Sequence, residues 1–342
     1  MSFTTENYHS AHVLSGGEGE APVLAVVDVK GNGKTQILRR SLPTKAWSPA
    51  LWFGTVNLQS VHIASDINGN GYDELLVVDL KSGGQVQGLM RDTKTLGWLP
   101  SIWFSPSTFK SAMLIDDVNG NGSQELVVMD SHDGSRLQLL RRDIKSRGWI
   151  GAVWFKTTEL AKVRVIADQS GNGSQEVLVV DKKADGRVQV LLRDLKTLGW
   201  YKALWFNTVN FQQVLLGGDS DGDGKEELLV VDAKPSGQLQ VFRREFITTQ
   251  WRSSVWHSGK GLLDTQVRVS DSAMGTTLFL VSQGEGNQVG VTTKTLGSSV
   301  STKAFSFGLD AYQGIVFELG SSNSFVLDKK DNGKLQAIHR DM

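Results

Sequence analysis

The sequence contains no cysteine, which excludes disulfide staples, thiolate metal sites and cysteine nucleophiles together. It has no surplus of either charge: 36 Lys and Arg stand against 36 Asp and Glu. That balance offers no electrostatic reason to expect a nucleic-acid partner or an anionic membrane surface. No apolar run reaches the 18 residues of a spanning helix, so membrane insertion is not expected. The opening "MSFTTENYHS" lacks the charged-then-apolar pattern of a secretory leader, which suggests cytoplasmic synthesis, or release without a leader. Proline is scarce, with 6 residues, while glycine numbers 37 and tryptophan 10. Such a composition suits many short strands joined by tight turns and does not suit helices.

What is present is repetition. The phrases "SDINGNGYDELLVVD", "DDVNGNGSQELVVMD", "ADQSGNGSQEVLVVD" and "GDSDGDGKEELLVVD" close on Asp79, Asp130, Asp181 and Asp232, each 51 residues after the last. A period of this length means a stacked or closed array. In the unit around residues 57–104, "LQSVHIASD" reads as a first strand and "ELLVVDL" as a second. The second is continuously apolar from Leu75 to Val78, as expected of a strand covered on both faces. "KSGG" marks a hairpin before a third strand, "QVQGLMRD". A fourth, "GWLPSIWF", carries Pro100, which only a sheet edge tolerates. Four short antiparallel strands per unit describe a propeller blade.

Asp28, Asp79, Asp130, Asp181, Asp232, Ser282 and Asp328 mark seven second strands. The seventh unit stops after its third strand, at "LQAIHRDM", and the chain starts in register with a fourth. The expected fold is therefore all-β: a seven-bladed β-propeller of four-stranded antiparallel blades, with the N-terminal strand around Ser2 to Tyr8 closing the last blade. A single domain spanning residues 1–342 follows.

Four of the glycine turns place oxygen-bearing side chains at positions one, three, five and nine. They are Asp66, Asn68, Asn70 and Glu74; Asp117, Asn119, Asn121 and Glu125; Asp168, Ser170, Asn172 and Glu176; and Asp219, Asp221, Asp223 and Glu227. Alternate hard oxygens, glycines at the bend and a trailing carboxylate are what Ca²⁺ requires, and a structural calcium is expected. Turn chemistry explains the glycines without an ion, but not Asp at one with Glu at nine. The pattern is lost in the first, sixth and seventh units. Calcium loops would suit an extracellular setting, against the missing leader.

The phrase D-x-[DN]-G-[DN]-G-x-x-E followed by "LLVVD" resembles the FG-GAP or VCBS repeat of integrin α-chain heads and many bacterial and fungal propellers. A freestanding seven-unit propeller of this kind resembles the PVL-type fungal lectins. The resemblance implies binding of N-acetylglucosamine or sialic-acid glycans. This chain departs from the family phrase in favouring Asn over Asp at position five.

All ten tryptophans fall in fourth strands, two per unit in five units. Trp47, Trp98, Trp149, Trp200 and Trp251 follow a glycine or small-residue turn; Trp52, Trp103, Trp154, Trp205 and Trp256 lie five residues on. An uninterrupted strand would aim the two members of a pair at opposite faces. The later series is expected to fill gaps between blades. The earlier series are candidate platforms for the apolar face of a sugar, although packing is their alternative role. Arg91, Arg142 and Arg193 end third strands and are followed by Asp92, Asp143 and Asp194. Such Arg–Asp pairs could clamp sugar hydroxyls or a carboxylate, or simply pair strands and blades.

The six histidines share no repeat position and no HExxH spacing, and no Gly-x-Ser-x-Gly elbow or phosphate loop is present. No catalytic residues are assigned and an enzyme is not expected. The leading reading is a multivalent lectin. Its alternatives are a protein-interaction or adhesion module of integrin-head type and, behind it, a polysaccharide lyase.

Overall fold

The computed structural model describes residues 2–15, 20–132, 135–219, 226–246, 248–258, 262–268, 276–283, 288–296, 301–317, 323–330, 332 and 334–341. Among them every regular element is a strand, and the strands form seven four-stranded sheets. Two compact units are present: residues 1–156 with 315–341, and residues 157–314.

A short strand β1 (Ser2–Thr4) comes first. One sheet follows in the order β2 (Tyr8–Leu14), β3 (Val23–Val29), β4 (Lys34–Ser41), β5 (Trp47–Gly54). The next is β6 (Leu58–Ala64), β7 (Glu74–Leu80), β8 (Val86–Asp92), β9 (Trp98–Phe104). A third is β10 (Phe109–Ile115), β11 (Glu125–His132), β12 (Arg136–Asp143), β13 (Trp149–Lys156). The second unit repeats the plan with β14 (Glu159–Ile166), β15 (Glu176–Lys182), β16 (Arg187–Asp194), β17 (Trp200–Asn207). It continues with β18 (Phe211–Leu216), β19 (Glu227–Ala233), β20 (Gln238–Glu245), β21 (Trp251–Ser258). Then come β22 (Leu262–Arg268), β23 (Thr276–Gln283), β24 (Gln288–Leu296), β25 (Ser301–Gly308). The last sheet takes β26 (Tyr312–Phe317), β27 (Asn323–Lys329) and β28 (Lys334–Asp341), and its fourth strand is β1. Ser2, Phe3 and Thr4 lie opposite Gln336, Leu335 and Lys334 in antiparallel register. The two ends of the chain thus share a sheet, as the truncated seventh repeat predicts.

The continuous apolar second strands are buried on both faces. In β7, Leu75 and Val77 pack with Ala25, Val27, Ile37, Leu51 and Phe53 of the preceding sheet. Leu76 and Val78 pack with Ala112, Leu126 and Val128 of the following one. All four are fully buried, each contributing about 1.5–3 kcal/mol of transfer free energy.

The aspartate that closes each phrase has a structural task. Buried Asp79 accepts hydrogen bonds from the Val56 and Asn57 amides through Oδ1, at 2.9 and 2.7 Å, and pairs with Lys81 at 2.5 Å. Asp28 does the same for Glu6, Asn7 and Lys30, and Asp232 for Val209, Asn210 and Lys234. Each stitches the segment entering a first strand to its second strand, satisfying amides that the turn would otherwise strand.

Candidate functional site

The fourth strands carry a β-bulge that decides where the tryptophans point. Gly88 lies opposite Ile102 and Met90 opposite Leu99, so β9 holds one extra residue around Pro100. Trp98 and Trp103 consequently face Arg91 and Gln87, which are four residues apart on β8 and share a face. The same pairing sets Trp149 and Trp154 against Arg142 and Gln138, and Trp200 and Trp205 against Arg193 and Gln189. Both tryptophans of a pair therefore lie on one face. The opposite-face expectation required a regular strand, and the bulge removes it.

The earlier series is the more exposed. Trp47, Trp98, Trp149, Trp200 and Trp251 keep 52–57% of their surface, a narrow range over five sheets. The later series keeps 37–48%, so it does not fill closed gaps either. Beside Trp154 lies a cavity of about 410 Å³ lined by Ser135, Arg136, Trp154, Phe155 and Lys156.

Each indole of the earlier series has an arginine against its ring. Guanidinium-to-centroid distances are 4.5 Å for Arg40 on Trp47, 4.8 Å for Arg91 on Trp98 and 4.0 Å for Arg142 on Trp149. They are 5.0 Å for Arg193 on Trp200 and 4.7 Å for Arg244 on Trp251. A buried phenylalanine of the preceding sheet meets the indole edge-on: Phe53 on Trp98 at 5.4 Å and Phe206 on Trp251 at 5.3 Å. Arg91 Nε donates to the Leu96 carbonyl at 3.0 Å and Nη1 to the Trp52 carbonyl at 3.2 Å. Arg244 repeats this on Thr249 and Trp205, at 2.9 and 3.0 Å. Arg91 and Arg244 spend these donors on backbone and so hold the indole in place.

The residue two before each exposed tryptophan has a left-handed backbone. Lys45, Leu96, Arg147, Leu198 and Thr249 have φ between 59° and 62°. A non-glycine residue there costs about 1–2 kcal/mol, and recurrence at five equivalent places shows the turn is retained despite the cost.

The Arg–Asp pairs are split by the structure. Successive residues of a strand point to opposite faces, so Asp92, Asp143 and Asp194 lie away from the tryptophans, and all three are buried. They join the glycine turns. Asn68 donates to Asp92 at 2.5 Å and Asn70 donates to the same oxygen. Asn121 donates to Asp143 and Asn172 to Asp194, each at 2.7 Å. Register also sets Glu74 opposite Asp92, Glu125 opposite Asp143 and Glu176 opposite Asp194. These aspartates, at the ends of third strands, belong with the glycine turns and not with the arginines beside them. The signal was available, because the Asp79–Gln87 hairpin register extends to Glu74 and Asp92.

In the turns, Asp66 accepts from the Asn70 and Gly71 amides at 2.7 and 2.8 Å. Asp117 accepts from Gly120, Asn121 and Gly122, and Asp168 from Gly171, Asn172 and Gly173. Asn119 Oδ1 accepts from Asn121, and the Ser170 hydroxyl donates to Asp168. Burial pushes the Glu74 carboxyl up to about 7, with Asp92 and Asp66 adding to it, although the Ile67 amide bonds to it. Burial likewise raises Glu125 to about 7, and Glu176 upward. Burial also acts to raise Asp92, but hydrogen bonds from Thr95, Asn68 and Asn70 outweigh it and hold the group below its ordinary value. In the fifth unit Glu227 is buried and Asp219 is described, whereas Asp221 and Asp223 lie outside the described residues.

The donor chemistry of these turns suits a hard cation, and Glu74 Oε1 is buried without a hydrogen-bond partner. Against that, the asparagine oxygens are occupied by backbone amides, and no three acids or imidazoles among the described residues are gathered at metal-binding spacing. The turns are already closed by their own hydrogen bonds.

The chain is similar to the structure of the Dos1 propeller, at 11% identity and a TM-score of 0.59, over 98% of this chain and 81% of that one. It is similar also to the crystal structure of Saccharomyces cerevisiae Sqt1, at 10% identity and a TM-score of 0.55, over 92% of this chain and 80% of that one. No family model matches the sequence, and no curated relative does. At these identities the likeness speaks for fold alone. With seven four-stranded antiparallel sheets, that fold is the seven-bladed β-propeller.

Proposed function

We propose that this propeller is a multivalent binding module whose fourth strands present five equivalent ligand platforms. The observation that carries the reading is the exposed indole of Trp47, Trp98, Trp149, Trp200 and Trp251, each backed by an arginine and entered through a left-handed residue. Monomeric proteins rarely leave so many large rings open without use. The ligand class favoured is a glycan. A pyranose lays its C–H face on an indole, and polar groups beside it fix the hydroxyls. Gln87, opposite Trp103 and hydrogen-bonded to Ser101 at 3.2 Å, and Gln240, opposite Trp256 and hydrogen-bonded to Ser254, also at 3.2 Å, are polar groups on the same face of the sheet. N-acetylglucosamine and sialic-acid glycans, suggested by the resemblance to PVL-type lectins, are the first to try.

The second reading, a protein-interaction module, draws support from the same exposed rings and their arginines. Trp and Arg are also the residues most often found at the energetic centres of protein interfaces. A glycan array probed with the full chain decides between the two: binding lost on Trp98→Ala supports the lectin, and a blank array with calcium present sinks it. Neither reading uses a catalytic group.

Calcium belongs to the proposal as a structural ion. Asp66, Asn68, Asn70, Glu74 and their counterparts would hold it, with Asp92, Asp143 and Asp194 close behind. It would supply a charge that keeps the buried glutamates ionised. A chelator should then lower the melting temperature; an unchanged melt leaves the turns as hydrogen-bonded hairpins.

A further inference from the structure

The first strands of the second unit carry side chains that do not recur. Register puts Lys162, Gln213 and Asp264 at one equivalent position, opposite Val180, Val231 and Val281. Arg164, Leu215 and Gln266 occupy the next same-face position, opposite Leu178, Leu229 and Phe279. Residues two apart on a strand share a face, so Lys162 and Arg164 project together.

Neighbouring strands are tied at this level. Gln213 donates to the Thr265 carbonyl at 2.8 Å, and Tyr312 donates to Asp264 Oδ2 at 2.9 Å. Gln266 donates to the same oxygen at 2.7 Å, and the Thr265 amide holds Oδ1 at 2.8 Å. Asp264 is thereby fixed by three donors, and the amide oxygens of Gln213 and Gln266 are left to accept from hydroxyls.

The cations have no such anchoring. Arg164 Nε is buried without a hydrogen-bond partner, and among the described residues neither Lys162 nor Arg164 forms an ion pair. A guanidinium N–H held away from water without an acceptor is costly, and an anion drawn to the half-buried guanidinium would offset that cost. Lys162 retains exposed surface, yet burial among protein atoms lowers its pKa, with Arg164 adding to the effect and Asp264 opposing it.

We propose that Lys162 and Arg164 form the cationic half of a single small-anion site on β14, taking the carboxylate or phosphate of a small hydroxylated molecule. The planar guanidinium supplies paired N–H donors to the oxyanion, and the ammonium a point charge. Gln213 and Gln266 accept from the ligand's hydroxyls. Because the set occurs once, it binds one ligand per chain, independent of the tryptophan platforms.

Calorimetric titration of the full chain at low ionic strength tests this, using inorganic phosphate, glucuronate and glucose. Phosphate or glucuronate is expected to bind at one site, and glucose not; which of the two is tighter tells phosphate chemistry from carboxylate. Arg164→Met should weaken binding about tenfold or more. The same variant, without anion, should melt no lower than the parent, since an unpartnered charge has gone. Lys162→Met should weaken binding to a lesser degree, and Trp98→Ala should leave it unchanged. Failure of every anion to bind, equal binding of glucose, or anion affinity that survives both substitutions would overturn the site.

Discussion

The fourth and the first strands of the blades differ in opposite directions. Fourth strands repeat: five carry the same exposed indole, the same arginine beneath it and the same left-handed turn before it. First strands diverge: one equivalent position reads Ser10, Ser60, Ser111, Lys162, Gln213 and Asp264, and the next reads His12, His62, Met113, Arg164, Leu215 and Gln266. Between them the second strands hardly change, because both faces are packed. Repetition is what a multivalent surface needs, since weak equal sites gain by avidity. Divergence at fixed register is what a single asymmetric site needs. One framework thus presents a repeated side-chain pattern on one strand edge and a varied one on the other.

Four substitutions probe that contrast. Replacing Trp47, Trp98 and Trp149 together by Ala should cost about 100-fold or more in avidity for a multivalent glycan. The thermal melt should move by only about 1 kcal/mol. Phe53→Ala, one layer beneath Trp98, should behave oppositely and lose about 3–5 kcal/mol of stability in chemical denaturation. Comparable losses in the tryptophan triple variant would make those rings core and not platform.

Asp79→Ala removes a buried carboxylate from two amides and Lys81, and should cost about 3 kcal/mol by urea unfolding. An effect under about 0.5 kcal/mol, the size of an ordinary surface change, would refute the stitching role.

Acid and base groups in the first unit should oppose each other between pH 4.5 and 6.5. In the calcium-free protein Glu74 and Glu125 sit near 7 against an ordinary 4.5, so the native state holds extra protons there, and their contribution falls as pH rises from 4.5 to 7. His12 and His62 are pushed down to about 4 by burial, from 6.5, so theirs is lost as pH falls from 6.5 to 4. Glu74→Gln with Glu125→Gln should therefore expose acid sensitivity, and His12→Gln with His62→Gln should make the protein more stable at pH 5 than at pH 7. Melting temperatures across that range check both, and parallel curves for all variants would refute the assignment. The smallest effect is at Lys45, exposed with φ of 59°, where Gly should gain about 0.5–1 kcal/mol.

Fold was legible in the sequence because each blade obeys local rules. "LLVVD" marks a doubly covered strand, Asn-Gly a turn, and the truncated seventh unit an exchange with the N-terminus. The site was less legible, for two local reasons. The bulge at Pro100 adds one residue to β9, which reverses the parity on which any side-to-side argument rests. Asp92 follows Arg91 and was read as its partner, although consecutive strand residues diverge and the hairpin register already pointed it at Glu74. The inner cluster of Lys162, Asp264 and Tyr312 could not be read at all, since its members are 48 or more residues apart and share no motif.

The most direct test is a crystal structure of the full chain soaked with N-acetylglucosamine. Sugar rings are expected against the indoles of the Trp98 series, repeated from blade to blade in one orientation. Ordered sugar elsewhere, or none at any of these tryptophans under saturating conditions, would contradict the reading of the fourth strands as ligand platforms.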